Sequence, residues 1–200
     1  MKAADRIITF VEGLLLTALA FLVQLVFPQV VQSFDIILMI GGALVVLYAL
    51  RRGVLPGFFS GALLGCAAAI MIEQPANHVP EIISLILSTS MLGLAGYFAR
   101  NLQRTLHNHR MFSVYLNLVT SVIVSVFALF LVRFVIMQWF DPAVSESMNM
   151  LLKENGLSAI VNSLVILLIL VVLLNTMTKA FIPKNTPYIS RKERSRLLND

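Results

Sequence analysis

The sequence predicts an all-α polytopic membrane protein with six transmembrane helices and both termini cytoplasmic. Three observations carry this. Hydrophobic residues make up 58% of the 200-residue chain and charged residues only 12%, with a mean hydropathy of +0.89, which describes a surface solvated by lipid. The apolar residues form runs close to the length that crosses about 30 Å of hydrocarbon as helix. The basic residues collect at alternate ends of those runs, as expected where cytoplasmic loops are enriched in Lys and Arg.

The runs are Ile7 to Phe27, Ile36 to Leu50, Phe58 to Ile72, Ile82 to Ala99, Val114 to Phe140 and Ser158 to Phe181. The first could be taken for a signal peptide, since Lys2 and Arg6 precede it and Ala18-Leu19-Ala20 resembles a cleavage site. It continues to Phe27, however, and Glu12 interrupts what would be the signal core, so it reads as a span. The second and third runs are short. Each is expected to borrow flanking residues, Val30 to Phe34 and Val54 to Gly57, or to sit tilted or partly re-entrant. Residues 1–182 thus form one six-helix domain, followed by a basic cytoplasmic tail over 183–200.

Charge supports this parsing independently. One set of ends carries Lys2, Arg6, Arg51, Arg52, Arg100, Arg104, Arg110, Lys179, Lys184, Arg191, Lys192, Arg194 and Arg196; the other carries only Lys153 among acidic Asp35, Glu73, Glu81, Asp141, Glu146 and Glu154. An even number of spans with both ends inside follows. The net charge of +5 therefore serves orientation in a cell membrane and does not indicate nucleic acid.

Several function classes drop out. The chain has no Walker-type loop, HExxH, GxSxG or paired-Cys motif, so nothing marks an enzyme, a cofactor or a nucleotide site. His107 and His109 have no acidic or thiolate cluster around them, so no metal is expected. The single cysteine, Cys66, is expected to be a small buried thiol.

Lipid offers no hydrophobic drive between helices, so small residues mark where backbones approach. Gly57, Gly61, Gly65 and Ala69 form one such stripe; Ser88, Gly93, Ala95 and Gly96 form another, and Gly13, Thr17 and Ala20 a third. Each fits packing within the bundle or against a partner subunit.

Intramembrane polar groups are costly and point to function. Glu12 can pair with Arg51 or Arg52. Arg133, about 10 Å below Trp139 along its helix, needs Glu81, Asp141 or a bound anion. Asn162, with Ser158 and Ser163, can hydrogen-bond a helix or a solute. The segment Glu73 to Glu81, together with Gln138, Trp139 and Asp141, would surround one outer mouth.

Glu12-Gly13-Leu14 with Thr17-Ala18-Leu19-Ala20, Leu50-Arg51-Arg52-Gly53 leading to Gly57 and Gly61, and Thr89-Ser90-Met91 before Gly93-Leu94-Ala95-Gly96 together resemble the thiamine-specific S components (ThiT-like) of energy-coupling factor (ECF) vitamin transporters. Val161-Asn162-Ser163 is similar to that family's Asn-bearing segment. The resemblance implies a substrate-binding subunit that captures a small water-soluble vitamin, thiamine or a related precursor, from outside. It also implies partners, namely a transmembrane scaffold subunit and two cytosolic ATPases, with Gly13, Thr17 and Ala20 docking on the scaffold. Its acidic site position falls near Ser84 here, with Glu81 one turn away on nearly the same face. The chain has one Trp and no His after Arg110, where the family has several aromatics and a His. The implied substrate-binding set is Glu81, Ser84, Arg133, Gln138, Trp139 and Asn162. The reading from a different class is a small accessory or assembly membrane protein; a stand-alone ion-coupled transporter would need internal repeats, which the two halves do not display.

Overall fold

A computed structural model describes residues 3–26, 30–31, 36–70, 79–140, 148–183 and 188. In chain order it contains α1 (Ala3–Val26), an antiparallel ribbon of β1 (Val30–Val31) and β2 (Ile36–Ile37), α2 (Gly42–Arg52), α3 (Val54–Ala69) and α4 (Val79–Ser90). A 3-10 stretch, Met91–Phe98, joins α4 to α5 (Ala99–His107), and α6 (Met111–Phe140), α7 (Met148–Thr176) and a 3-10 turn (Thr178–Ala180) complete the chain. Each predicted run corresponds to one helical segment. Among the described residues, four stretches are long and apolar enough to cross a membrane: Arg6–Val26, Val79–His107, Met111–Phe140 and Asn155–Thr176.

The two short runs resolve differently. α3 does take in Val54 to Gly57. The second run does not become helix before Gly42: Val30 and Val31 pair with Ile37 and Ile36 in the ribbon, where β-branched side chains are at ease, and Gly41-Gly42 weakens helix at that point. What remains of α2 is an 11-residue helix that is apolar on every side and almost wholly buried, as a central helix should be. It packs against α1, α3, the 3-10 stretch, α5 and α7.

The α2–α3 connection is Gly53 alone. Its φ of 101° belongs to the left-handed region that glycine occupies without strain, and the Tyr188 hydroxyl lies directly over it. Beyond it the glycine stripe of α3 faces α4 and the 3-10 stretch. A Cβ on Gly57 would lie 3.0 Å from Gly93 Cα, one on Gly61 2.8 Å from Ser90 Cα, and one on Gly65 2.7 Å from Ile86 Cα. Backbones meet here with no side chain between them, which is the close approach that association in lipid requires. Cys66 falls off that stripe and is exposed, contrary to the expected buried thiol, because the inward face of α3 is taken by Gly57, Ser60, Gly61, Leu64, Gly65 and Ala69.

The outer faces are apolar. Phe127, Leu131, Val135 and Trp139 on α6 and Ile160, Leu164, Leu168 and Val172 on α7 are all exposed, at helical spacing. This is the surface of a multi-pass membrane protein.

Gly61→Ala should lower the melting temperature of the detergent-solubilised protein, at a cost of about 1–3 kcal/mol from overpacking against fixed backbone. Gly156→Ala, where nothing lies within 4 Å of an added Cβ, should leave it unchanged or slightly raised.

Candidate functional site

Three helices present buried polar groups at four-residue spacing: Ser84 and Ser88 on α4, Ser121 and Ser125 on α6, and Ser158 and Asn162 on α7. On α6 the same stripe continues through Leu129 to Arg133. α6 contacts both α4 and α7, so it carries Arg133 into the region between them.

α4 starts with Val79-Pro80-Glu81. Proline is tolerated in the first turn, where its missing N–H is no loss, and a carboxylate there complements the helix dipole. This fixes Glu81 at the mouth of the bundle, and its charge acts on Arg133. Of the acceptors expected for Arg133, Glu81 is the one whose charge lies within electrostatic range; Asp141 lies outside the described residues.

One turn further along α4, the hydroxyls diverge. Ser88 donates to Leu85 O (3.2 Å) and Thr89 to Leu85 O (2.7 Å), while on α6 Ser121 donates to Leu118 O (2.8 Å) and Ser125 to Val122 O (3.1 Å). Ser84 is 2% exposed, and its Oγ has no hydrogen-bond partner among the described residues. A buried hydroxyl without a partner costs about 1–3 kcal/mol, so Ser84 is the polar atom at this site still in need of a ligand or water.

The other expected site residues are placed differently. Asn162, 1% exposed, is engaged by the protein itself: its Oδ1 accepts the Met39 N–H (2.7 Å) and its Nδ2 donates to Ser158 O (2.7 Å). It fastens the chain leading into α2, the protein-bonded alternative of the two expected for it. Trp139 is 83% exposed and belongs to the outward stripe of α6, a position that suits an interfacial anchor. Gln138 beside it is partly buried. Glu73 to His78 and Asp141, also expected around that mouth, lie outside the described residues.

The expected docking face is likewise occupied from within. A Cβ on Gly13 would lie 2.6 Å from the Tyr48 hydroxyl. Thr17 Oγ1 donates to Gly13 O (2.7 Å) and is hydrogen-bonded to Ser60 Oγ (2.7 Å), and Ala20 is fully buried. The face packs α1 onto α2 and α3, because small residues there admit Tyr48 and the α3 backbone. It is not an open surface for another subunit.

Two amides escaped the sequence reading. Gln24, one turn beyond Ala20 on the same face, accepts the Gly41 N–H at Oε1 (3.1 Å) and donates to Leu38 O (2.9 Å). Gln103, fully buried, donates to Leu50 O (3.0 Å) and Arg51 O (2.9 Å). The available signal was an uncharged amide on the inward face of an apolar helix. At the opposite end of the bundle from Glu81, Glu12 forms ion pairs with both Arg51 and Arg52, and Arg51 Nη1 donates to Ala180 O (2.6 Å).

A family model described as thiamine transporter protein (Thia_YuaJ) matches residues 10–182. The chain belongs to that family. A solved structure described as native-SAD phasing for ThiT from Listeria monocytogenes has the same fold, with a TM-score of 0.75 and 22% identity over 90% of this chain and 100% of that one. No curated protein matches the chain. For this family member, then, the six-helix fold and membership of a vitamin-transporter family stand together.

Asn162→Ala should lower the melting temperature of the ligand-free protein by stranding the Met39 N–H, a loss of about 1–3 kcal/mol. Gln24→Ala should do the same at Gly41, and both effects are readable by thermal denaturation in detergent.

Proposed function

We propose that this chain is the substrate-binding S component of an ECF-type importer, which captures thiamine or a closely related vitamin or precursor from outside the cell. The observation that carries the reading is the buried Ser84 hydroxyl, without a partner among the described residues and one turn from Glu81 on α4, in a member of a thiamine transporter family. Ser84 offers a donor and acceptor in a desolvated position. The Glu81 carboxylate provides the negative charge that a cationic vitamin ring needs, and Arg133 is available to an anionic or carbonyl group. A partner-free polar group such as the Ser84 hydroxyl raises specificity, because a ligand that fails to satisfy it leaves it stranded.

The sequence has no nucleotide-binding motif, so uphill transport draws its energy from partners: a transmembrane scaffold subunit and two cytosolic ATPases. The segregation of basic residues supports a bacterial plasma-membrane location with both termini in the cytoplasm. Since the Gly13–Thr17–Ala20 face is filled by the chain's own helices, any scaffold contact of α1 uses its outward side.

Ser84→Ala should leave the ligand-free melting temperature unchanged or raised while weakening thiamine binding about 2- to 10-fold, the worth of one hydrogen bond, as measured by calorimetric titration. Unchanged affinity would remove Ser84 from the site. Reconstituted alone in liposomes, the protein should bind thiamine without accumulating it, and added scaffold and ATPase subunits should confer ATP-dependent uptake. Accumulation driven by a proton or sodium gradient alone would refute the S-component reading.

A further inference from the structure

We propose that the groove beside the N-terminal half of α1 seats one anionic phospholipid. The groove, about 800 Å³ in volume, runs between α1 and the inner end of α2 and is closed by Ala180, a size within the roughly 300–1,000 Å³ typical of ligand clefts. Its walls are apolar: Ile8, Val11 and Leu15 from α1, all exposed, and Leu47 from α2. Its polar floor is Glu12, Arg51 and Arg52.

The charges on that floor do not balance. Among the described side chains, Glu12 supplies one carboxylate for two guanidinium groups, leaving one positive charge in excess there. Arg51 turns Nε toward Glu12 and donates from Nη1 to Ala180 O (2.6 Å) and Lys179 O (3.3 Å); Arg52 donates to Glu12 from Nη2 and from Nε (2.8 Å). Nη2 of Arg51 and Nη1 of Arg52 have no hydrogen-bond partner among the described residues. Two guanidinium edges with spare N–H groups form a fork suited to a phosphate, and a partly buried cation in excess of its carboxylate partners is better satisfied when an anion joins it. Apolar walls leading away from the fork suit acyl chains. A basic pocket between membrane helices with these features selects a lipid headgroup, and the excess charge favours a net-anionic lipid over a zwitterionic one.

Protein reconstituted in nanodiscs of equimolar phosphatidylglycerol and phosphatidylcholine, then released for native mass spectrometry, should retain phosphatidylglycerol over phosphatidylcholine by about fivefold. Val11→Trp fills the apolar wall without touching Glu12 or the arginines, and Arg51→Gln removes the excess charge; each should return the ratio to that of the bulk mixture. Should Arg51→Gln fail to fold, Val11→Trp decides alone. Equal retention of the two lipids by wild-type protein, or an undiminished preference in a folded variant, overturns the proposal.

Discussion

The central helix α2 is too short for the membrane it sits in. Eleven residues of α-helix span about 16 Å, against about 30 Å of hydrocarbon, so at least one end of α2 lies where water cannot satisfy the open backbone groups that every helix terminus carries. Amide side chains from three other helices supply the partners. Gln24 from α1 and Asn162 from α7 bind the backbone at Leu38, Met39 and Gly41 just before the helix, and Gln103 from α5 binds the carbonyls of Leu50 and Arg51 at its other end. Because these amides converge on α2 from separate segments, they also set the relative heights of α1, α5 and α7. The rest of the bundle depends on that constraint.

Packing around α2 then follows from residue size. α3 returns from the Gly53 turn and meets α4 and the 3-10 stretch backbone to backbone through Gly57, Gly61, Gly65 and Gly93. The tighter winding of Met91–Phe98 coincides with Gly93, Ala95 and Gly96, where small residues leave room for it and where mid-helix 3-10 geometry is otherwise unusual. α1 is held by the same logic with one addition, the Thr17–Ser60 hydrogen bond, so that a stripe resembling a docking face is consumed within the chain.

Polar chemistry separates toward the two ends of the bundle. Near the start of α4, Glu81 contributes a charge and Ser84 a buried hydroxyl. At the end shared by the start of α1 and the region after α7, Glu12, Arg51, Arg52 and the Ala180 carbonyl knit three segments together. Of the two clusters, only the first leaves a fully buried hydroxyl without a partner among the described residues.

Hydrophobic run length, loop charge and glycine spacing are local properties, so the sequence by itself determined the all-helical membrane class, the six helical segments, and Arg51 or Arg52 as the partner of Glu12, which the structure pairs with both. Membership of the transporter family was legible in the same way, from the order and spacing of small-residue motifs. What only the tertiary structure decided was direction. The short α2 with its β-ribbon lead-in, the inward turn of Gly13, Thr17 and Ala20, the outward turn of Trp139 and Cys66, and the use of Asn162 as a backbone clamp all depend on which neighbour a side chain meets. In a bilayer, the lipid-facing and bundle-facing sides of a helix are both apolar, so composition does not distinguish them. A buried amide reads the same in sequence whether it awaits a vitamin or, like Asn162 at Met39, already holds the backbone of another segment.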